Sequence, residues 1–319
     1  MSNKFKGMKK GVMIILASLM VFIGILFATD IQGMLVGNKK ENGNNKMKKD
    51  KKAKEKDGAE STSYVDGANL ASTEIKIIER WDLPKELKEV SGIAYLSDEI
   101  FACIQDESGS VYIYNCTDDK IEKEISFSGV GDYEGIAVVD QAIYVIRADG
   151  KLFMIENMHA PKPDVKEFTT GLTIQHNIES LCYDKVGNRL LMTGKDKDPD
   201  GADQKKIYAF DIQLKKWNSS PVYVIDLNHN LFSAGKKSLQ PSAMGVHPVT
   251  SDIYIVDGPA AKLFVFDSMG LVKNGYALDQ NQFPQAEGIS FGENGDIYIS
   301  TEGNKTPGAI FKVILADSN

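Results

Sequence analysis

From Ser91 onward the chain alternates short apolar runs with polar turns, and the runs recur at a regular spacing. Each run is four to eight residues long and rich in Ile, Val, Tyr and Phe. Turns such as DKVGNR and GENGD separate them. Aligning the first run of each unit places Ser91, Glu134, Glu179, Ser242 and Glu287 at one position, opening SGIAYLS, EGIAVVD, ESLCYDK, SAMGVHP and EGISFGE. The intervals are 43, 45, 63 and 45 residues. A second run follows in every unit (IFACI, IYVIR, LLMTG, IYIVD, IYIST), then a third (VYIYN, LFMIE, IYAFD, LFVFD, IFKVI), and in most a fourth. No segment beyond residue 71 carries a convincing helical period.

Four strands in about 44 residues, repeated along the chain, predict a β-propeller. The last unit is one strand short, because the chain ends soon after IFKVIL. EIKIIERWDL, Glu74–Leu83, precedes the first unit without a partner and is expected to complete the last one. The excess in the 63-residue interval is the polar turn DKDPDGADQ plus NHNLFSAGKKS, with too little apolar pattern for a sixth unit. The expectation is therefore an all-β, five-bladed β-propeller over residues 73–317, with the N-terminal strand closing the last blade.

The first 72 residues follow a different pattern. After a short basic stretch, 1–10, GVMIILASLMVFIGILFA at 11–28 runs 18 residues without a charge. That is the lower end of the length needed to cross about 30 Å of hydrocarbon. A cleaved signal peptide shares the basic start, but both candidate cuts put a bulky side chain at −3, and no Cys follows to carry a lipid. The reading is an uncleaved transmembrane signal-anchor, with the propeller on the periplasmic side of the inner membrane. Residues 29–72 form a Lys-rich linker whose central stretch NKKENGNNKMKKDKKAKEKDGAESTS has almost no apolar residues, so it is expected to be disordered.

Charge is divided along the same line. Residues 1–60 hold 13 Lys and 6 acidic residues, a local charge of +7, while the whole chain stands at −7 and the remainder at −14. An acidic globular part offers no basic surface to displace phosphate counterions, which argues against nucleic acid as a partner and confines residues that could bind it by charge to the N-terminal lysine tract. The three Cys are too few for a disulfide framework, and Cys103 and Cys182 sit inside apolar runs as small hydrophobes.

VSGIAY with the following IQDESG, then GDYEGIAVV, NIESLCYD, and QAEGISF with IYISTEG stand in an order that resembles the SdiA-regulated (YjiK-like) family over nearly all of Ile75–Leu315. The resemblance implies a five-bladed propeller distantly akin to NHL repeats, exported or membrane-anchored, with a calcium ion at a shared site. It implies no particular reaction. Where the family repeats Gly after the opening residue of the first strand, this chain has Ser180 and Ala243, a departure that bears on the backbone of blades three and four.

In a propeller the first strand of each blade lies nearest the axis, so residues about 44 positions apart converge. Ser91, Glu134, Glu179, Ser242 and Glu287 form one expected ring, and Glu89, Asp132, Asn177, Gln240 and Gln285, two positions earlier, a second. Ionised Glu side chains facing one another in a narrow channel either rise in pKa or share a cation. Oxygen donors without Cys suit Ca²⁺ better than zinc. Glu134, Glu179 and Glu287 are thus the leading metal ligands, with Ser91, Ser242, Glu89, Asp132 and Asn177 behind them. The competing reading makes each Glu-Gly pair a turn device whose carboxylate reaches channel water.

Asp106, Glu107, Asp196, Asp198 and Glu302 follow second strands and could rim one mouth; as turn residues they need no function. His176, His247 and Arg147 read as hydrogen-bonding or salt-bridging residues. No GxSxG, P-loop, paired-Cys zinc spacing or dinucleotide fingerprint is present. Two functions stay open: a membrane-anchored, calcium-binding module for an unknown ligand or protein partner, and a calcium-dependent lactonase- or esterase-like hydrolase with His176 or Asp132 as base.

Overall fold

The computed structural model describes residues 75–201, 203–232 and 238–316. Contacts divide the chain into two units, Met1–Ser63 and Tyr64–Asn319, and every described residue belongs to the second. The expected anchor at 11–28 and linker at 29–72 lie outside the described residues. Among the described residues no helix is long and apolar enough to cross a membrane.

Strand β1 (Ile75–Asp82) precedes the first complete blade, β2 to β5 (Val90–Ser97, Ile100–Gln105, Ser110–Asn115, Lys120–Ser126). Blade two is β6 to β9 (Tyr133–Val139, Ala142–Arg147, Lys151–Glu156, Asp164–Thr169), and blade three β10 to β13 (Ile178–Asp184, Arg189–Gly194, Gln204–Asp211, Lys216–Asp226). Blade four is β14 to β17 (Pro241–Val246, Ile253–Asp257, Lys262–Phe266, Val272–Ala277), and β18 to β20 (Ala286–Phe291, Ile297–Thr301, Ala309–Leu315) begin blade five. Each blade is a four-stranded antiparallel meander, and the fifth has the order β1-β20-β19-β18. The N-terminal strand therefore closes the ring as expected, with Ile75 opposite Leu315 and Asp82 opposite Ala309.

Both faces of a blade are covered by its neighbours, which is why its inner strands read as continuous apolar runs rather than alternating ones. The core is accordingly divided into five, one cluster in each gap between blades. Ile104 and Val111 of blade one meet Ile136, Val145 and Phe153 of blade two. The gap at the closure holds Phe101, Cys103 and Tyr114 against Tyr298 and Ile310, with Trp81 of β1 packed on them. All three cysteines are free and buried. Fourth strands sit at the rim, where β5 and β9 alternate exposed Lys and Glu with partly buried positions; charges on these edges discourage pairing with another chain.

The 63-residue interval hides no extra blade. It holds the turn between β11 and β12, the 11-residue β13 with an irregular register against Ile207–Ala209, and a one-turn 3-10 helix at Asn230–Phe232.

One irregularity repeats in all five blades. Pairing between first and second strands skips a residue between Val90 and Gly92, Tyr133 and Gly135, Ile178 and Ser180, Pro241 and Ala243, and Ala286 and Gly288. The skipped residue is Ser91, Glu134, Glu179, Ser242 or Glu287. Each is the extra residue of a β-bulge, a device that re-aims a side chain at the start of a strand.

The glycines after these residues are not turns, since none of Gly92, Gly135 and Gly288 takes a positive φ. They allow close approach of the next blade: a Cβ on Gly135 would lie 2.6 Å from the Leu181 backbone nitrogen. Bulges with Ser180 and Ala243 in that position form equally well, so the departure from the family pattern leaves the backbone of blades three and four intact.

Gly135→Ala is expected to lower the free energy of unfolding by about 1–3 kcal/mol, the usual cost of overpacking. Gly129→Ala, where a Cβ would meet nothing within 4 Å, should change it by less than about 0.5 kcal/mol. Urea unfolding of the two variants measures the difference.

Candidate functional site at the channel mouth

The inner strands β2, β6, β10, β14 and β18 touch in that order and β18 returns to β2, so they line one axial channel. The bulged ring of Ser91, Glu134, Glu179, Ser242 and Glu287 surrounds a cavity of about 10 Å³, room for a single water-sized sphere. Two positions further along each strand lie Ile93, Ile136, Leu181, Met244 and Ile289, each buried, which bar the channel with an apolar layer. Beyond that layer the other mouth opens into a cavity of about 190 Å³ with Tyr95, Val138, Tyr183, Val246 and Phe291 in its wall. The two mouths thus differ in kind. One is polar and acidic, the other apolar and aromatic.

A second polar tier lies outside the ring, as the register of the sequence predicts. Glu89, Asp132 and Gln285 are exposed there, while Asn177 and Gln240 are half-buried. A third tier comes from residues immediately after the second strands: Asp106, Ala148, Lys195, Gly258 and Glu302. Their segments are tied to the neighbouring first strands by backbone bonds, among them Ala148 N to Asp132 O at 2.8 Å and Lys195 N to Asn177 O at 2.8 Å. Asp106 and Glu302 therefore do rim the mouth. Asp198 instead accepts from the Lys206 backbone N–H within the turn between β11 and β12.

The serines of the ring link blades. Ser91 Oγ donates to Tyr133 O at 2.7 Å, and Ser242 Oγ to Ala286 O at 2.6 Å. The three glutamates carry the electrostatic problem, and each meets it differently. Burial, then the charge of Glu179, a hydrogen bond with Asp132 and the charge of Glu287 push Glu134 up to about 10, so it holds a proton at neutral pH. Burial also raises Glu179, but Lys195 Nζ donates to its Oε2 at 2.8 Å and Asn177 Nδ2 to its Oε1 at 3.0 Å, which offset part of that rise. Glu287 is pushed up to about 7, chiefly by burial, with Lys195 pulling the other way and Glu179 and Glu302 adding to it. Glu302 also rises to about 7, from burial and the nearby charges of Asp106 and Glu89.

Lys195 is the residue of the channel mouth that sequence reasoning missed. Its signal was present: it stands directly after a second strand, in register with Asp106 and Glu302, at the start of KDKDPD. Burial disfavours its charge, yet the bond to Glu179 and the fields of Glu287 and Glu134 outweigh that and raise its pKa.

Among the described residues, no three His, Cys, Asp or Glu side chains stand in an arrangement that would hold a metal ion. Most of the expected ligands already have partners: Lys195 on Glu179, Asn177 on Glu179, Asp132 on Glu134, and backbone carbonyls for Ser91 and Ser242. The donor set nonetheless suits a hard cation, because every ligating group is an oxygen. Among the described residues three buried side-chain oxygens lack a hydrogen-bond partner, Asp106 Oδ1, Ser180 Oγ and Ser300 Oγ, and Asp106 alone among them is a carboxylate.

His176 does not reach the ring. Its Nδ1 accepts from the Thr173 backbone N–H at 3.1 Å, and the side chain lines a separate cleft with Asp198 and Tyr208. His247 lies at the aromatic mouth, accepting from the Val249 and Thr250 backbone N–H groups in its own turn. Arg147 pairs with Asp149 at 2.6 Å, the salt-bridge role expected of it.

Fold and site together define a five-bladed propeller with an acidic ring at one end of its axis. The chain belongs to the SdiA-regulated family, whose model matches residues 70–306. Among solved structures, a glutaminyl cyclase of Myxococcus xanthus is similar with a TM-score of 0.56 at 14% identity, covering 77% of this chain and 98% of its own. A protein of unknown function from Bacteroides thetaiotaomicron VPI-5482 gives 0.46 at 16% identity, with 72% of this chain and 58% of that one covered. Virginiamycin B lyase of Staphylococcus aureus gives 0.42 at 13% identity, over 75% and 74%. At such identities the likeness is one of fold. No curated protein matches the chain.

Glu134 binds its proton more tightly in the folded state than in the unfolded chain, so its effect on stability has a definite sign. That contribution is fully present below the ordinary carboxylate value of 4.5 and is lost as pH rises toward about 10. In chelator, Glu134→Gln is expected to flatten this decline and to exceed the wild type at pH 8–9. The gain should be about 1 kcal/mol, since solvent contact at the mouth screens much of the charge. Thermal unfolding across pH 5–9 checks it.

Proposed function

We propose that the acidic mouth binds a hard divalent cation, calcium by its donor chemistry, and that the protein is an exported binding module tethered by the apolar segment 11–28. The observation that carries this reading is the shared cavity. Glutamates from blades two, three and five, far apart in the sequence, project from bulges into a space the size of one ion. A ring of this kind built only to hold water would not need three carboxylates. One of them is kept protonated against its ordinary chemistry, and a nearby carboxylate oxygen, on Asp106, lies buried and unpaired.

Glu134 and Glu287 are the ring carboxylates that no lysine holds, Glu179 joins them where the ion displaces the Lys195 ammonium, Asp132 and Asp106 are further oxygen donors, and the hydroxyls of Ser91 and Ser242 are still able to accept. The ion would supply the positive charge that lets Glu134 ionise inside the channel, joining the blades electrostatically at their narrowest point. That role is structural, and it leaves the aromatic mouth, with its cavity of about 190 Å³, as the surface for a ligand or protein partner. Calcium affinities of extracellular modules run near 10⁻⁴ to 10⁻³ M, the range expected here.

Calorimetric titration of chelator-treated full-length protein with calcium tests the reading. One site is expected, with proton release on binding and tighter binding at pH 8.5 than at pH 7, because Glu134 must lose its proton first. Glu134→Gln combined with Glu287→Gln should weaken binding at least about tenfold. Absence of both heat and thermal shift in the wild type at several millimolar calcium would overturn it.

A further inference from the structure

The acidic mouth already contains one positive charge. Of the fifteen residues in its three tiers, Lys195 alone is cationic. Its ammonium donates to Glu179 Oε2 at 2.8 Å, and Asn177 occupies Oε1 at 3.0 Å, so both oxygens of that carboxylate are taken. A calcium ion ligates carboxylate oxygens at roughly 2.3–2.6 Å. If it took Glu179 while the ammonium stayed, two cations would crowd one carboxylate in a channel with little room for screening water.

The backbone around Lys195 cannot easily yield. Its N–H donates to Asn177 O at 2.8 Å. Its carbonyl and those of Gly194 and Asp196 all accept from Lys205 Nζ, at 3.2, 3.0 and 2.5 Å. Lys205 is 2% exposed. This second lysine serves as a buried clamp on the turn, an ammonium gathering three carbonyls, and it fixes where the Lys195 side chain starts. The Lys195 side chain itself is 25% exposed, so it has a path to solvent.

We propose that Lys195 is a tethered competitor for the channel cation: its ammonium holds Glu179 in the cation-free protein and swings toward solvent when a divalent ion takes that carboxylate. This rests on the cation-binding reading and adds its regulation. The ring is held together at every cation concentration, by lysine when the ion is scarce and by the ion when it is plentiful. The affinity is set lower than the carboxylates alone would give. Lys205 acts as a positioning residue, since it touches the turn and not the ion.

Calcium titration of the full-length wild type, Lys195→Met and Lys195→Arg tests the affinity. Lys195→Met should bind about tenfold more tightly or better, the size of a lost charge-assisted competitor, and Lys195→Arg should stay near the wild type. Amine acetylation of the wild type, read by mass spectrometry, tests the displacement directly. Modification of Lys195 should rise at least severalfold on saturation with calcium, while Lys205 stays protected as an internal control.

Equal or weaker affinity in Lys195→Met, or labelling of Lys195 unmoved by saturating calcium, overturns the displacement while cation binding stands. No binding in either protein overturns both. Should Lys195→Met fail to fold, the labelling of wild type decides alone.

Discussion

The antiparallel pairing of β1 with β20 is the constraint on which the rest of the molecule depends. It joins the two ends of the described chain within a single blade, from Ile75 opposite Leu315 to Asp82 opposite Ala309. Without it, blade five would stop at the largely buried strand β20 and the gap between blades five and one would lose Trp81 from the packing around Tyr298 and Tyr114. The consequence reaches the axis. Only a closed ring brings β18 against β2, and only then do Glu287 and Ser91 face the same cavity as Glu134 and Glu179. Pairing at the rim therefore governs electrostatics at the centre.

Packing and charge make opposed demands on the inner strands. The gaps between blades need these strands apolar and close together, so that a glycine such as Gly135 stands where a methyl group would strike the next blade. The channel mouth carries carboxylates on the same strands. A bulge in each blade separates the two requirements within a single residue: the side chain that falls out of register turns to the axis, and its neighbours continue into the core. The charge so concentrated is then relieved by protonation of Glu134, by Lys195, and by serines in place of glutamates in blades one and four. Those serines use their hydroxyls to bond the following blade.

The apolar layer from Ile93 to Ile289 gives the propeller two faces with separate chemistry. It keeps the acidic ring out of contact with the aromatic cup, so a change of charge at one mouth need not alter the other. A cation at the acidic end and a ligand at the aromatic end would therefore be joined through the stiffness of the inner strands rather than by sharing a cavity.

The repeat, the five-blade count, the closing strand and the ring of Ser91, Glu134, Glu179, Ser242 and Glu287 were legible in the sequence. They follow from a local rule, the alternation of apolar runs and polar turns, applied at a constant interval. The same register placed Asp106 and Glu302 at the rim, because equivalent positions in a repeat are equivalent in space. Three things were decided only by the tertiary structure. The bulges depend on how one strand pairs with another, which a strand's own residues do not state. The pairing of Lys195 with Glu179 depends on a lysine after the second strand of its blade reaching the start of the first, and lysines in polar turns are otherwise indistinguishable from solvated ones. Finally, Glu134 and Glu287 have the same sequence context, Glu followed by Gly-Ile, yet one is pushed to about 10 and the other to about 7. The difference lies in their neighbours: beyond burial, Glu134 meets the charge of Glu179 and a hydrogen bond with Asp132, both of which raise it, whereas Glu287 feels the ammonium of Lys195, which pulls it down.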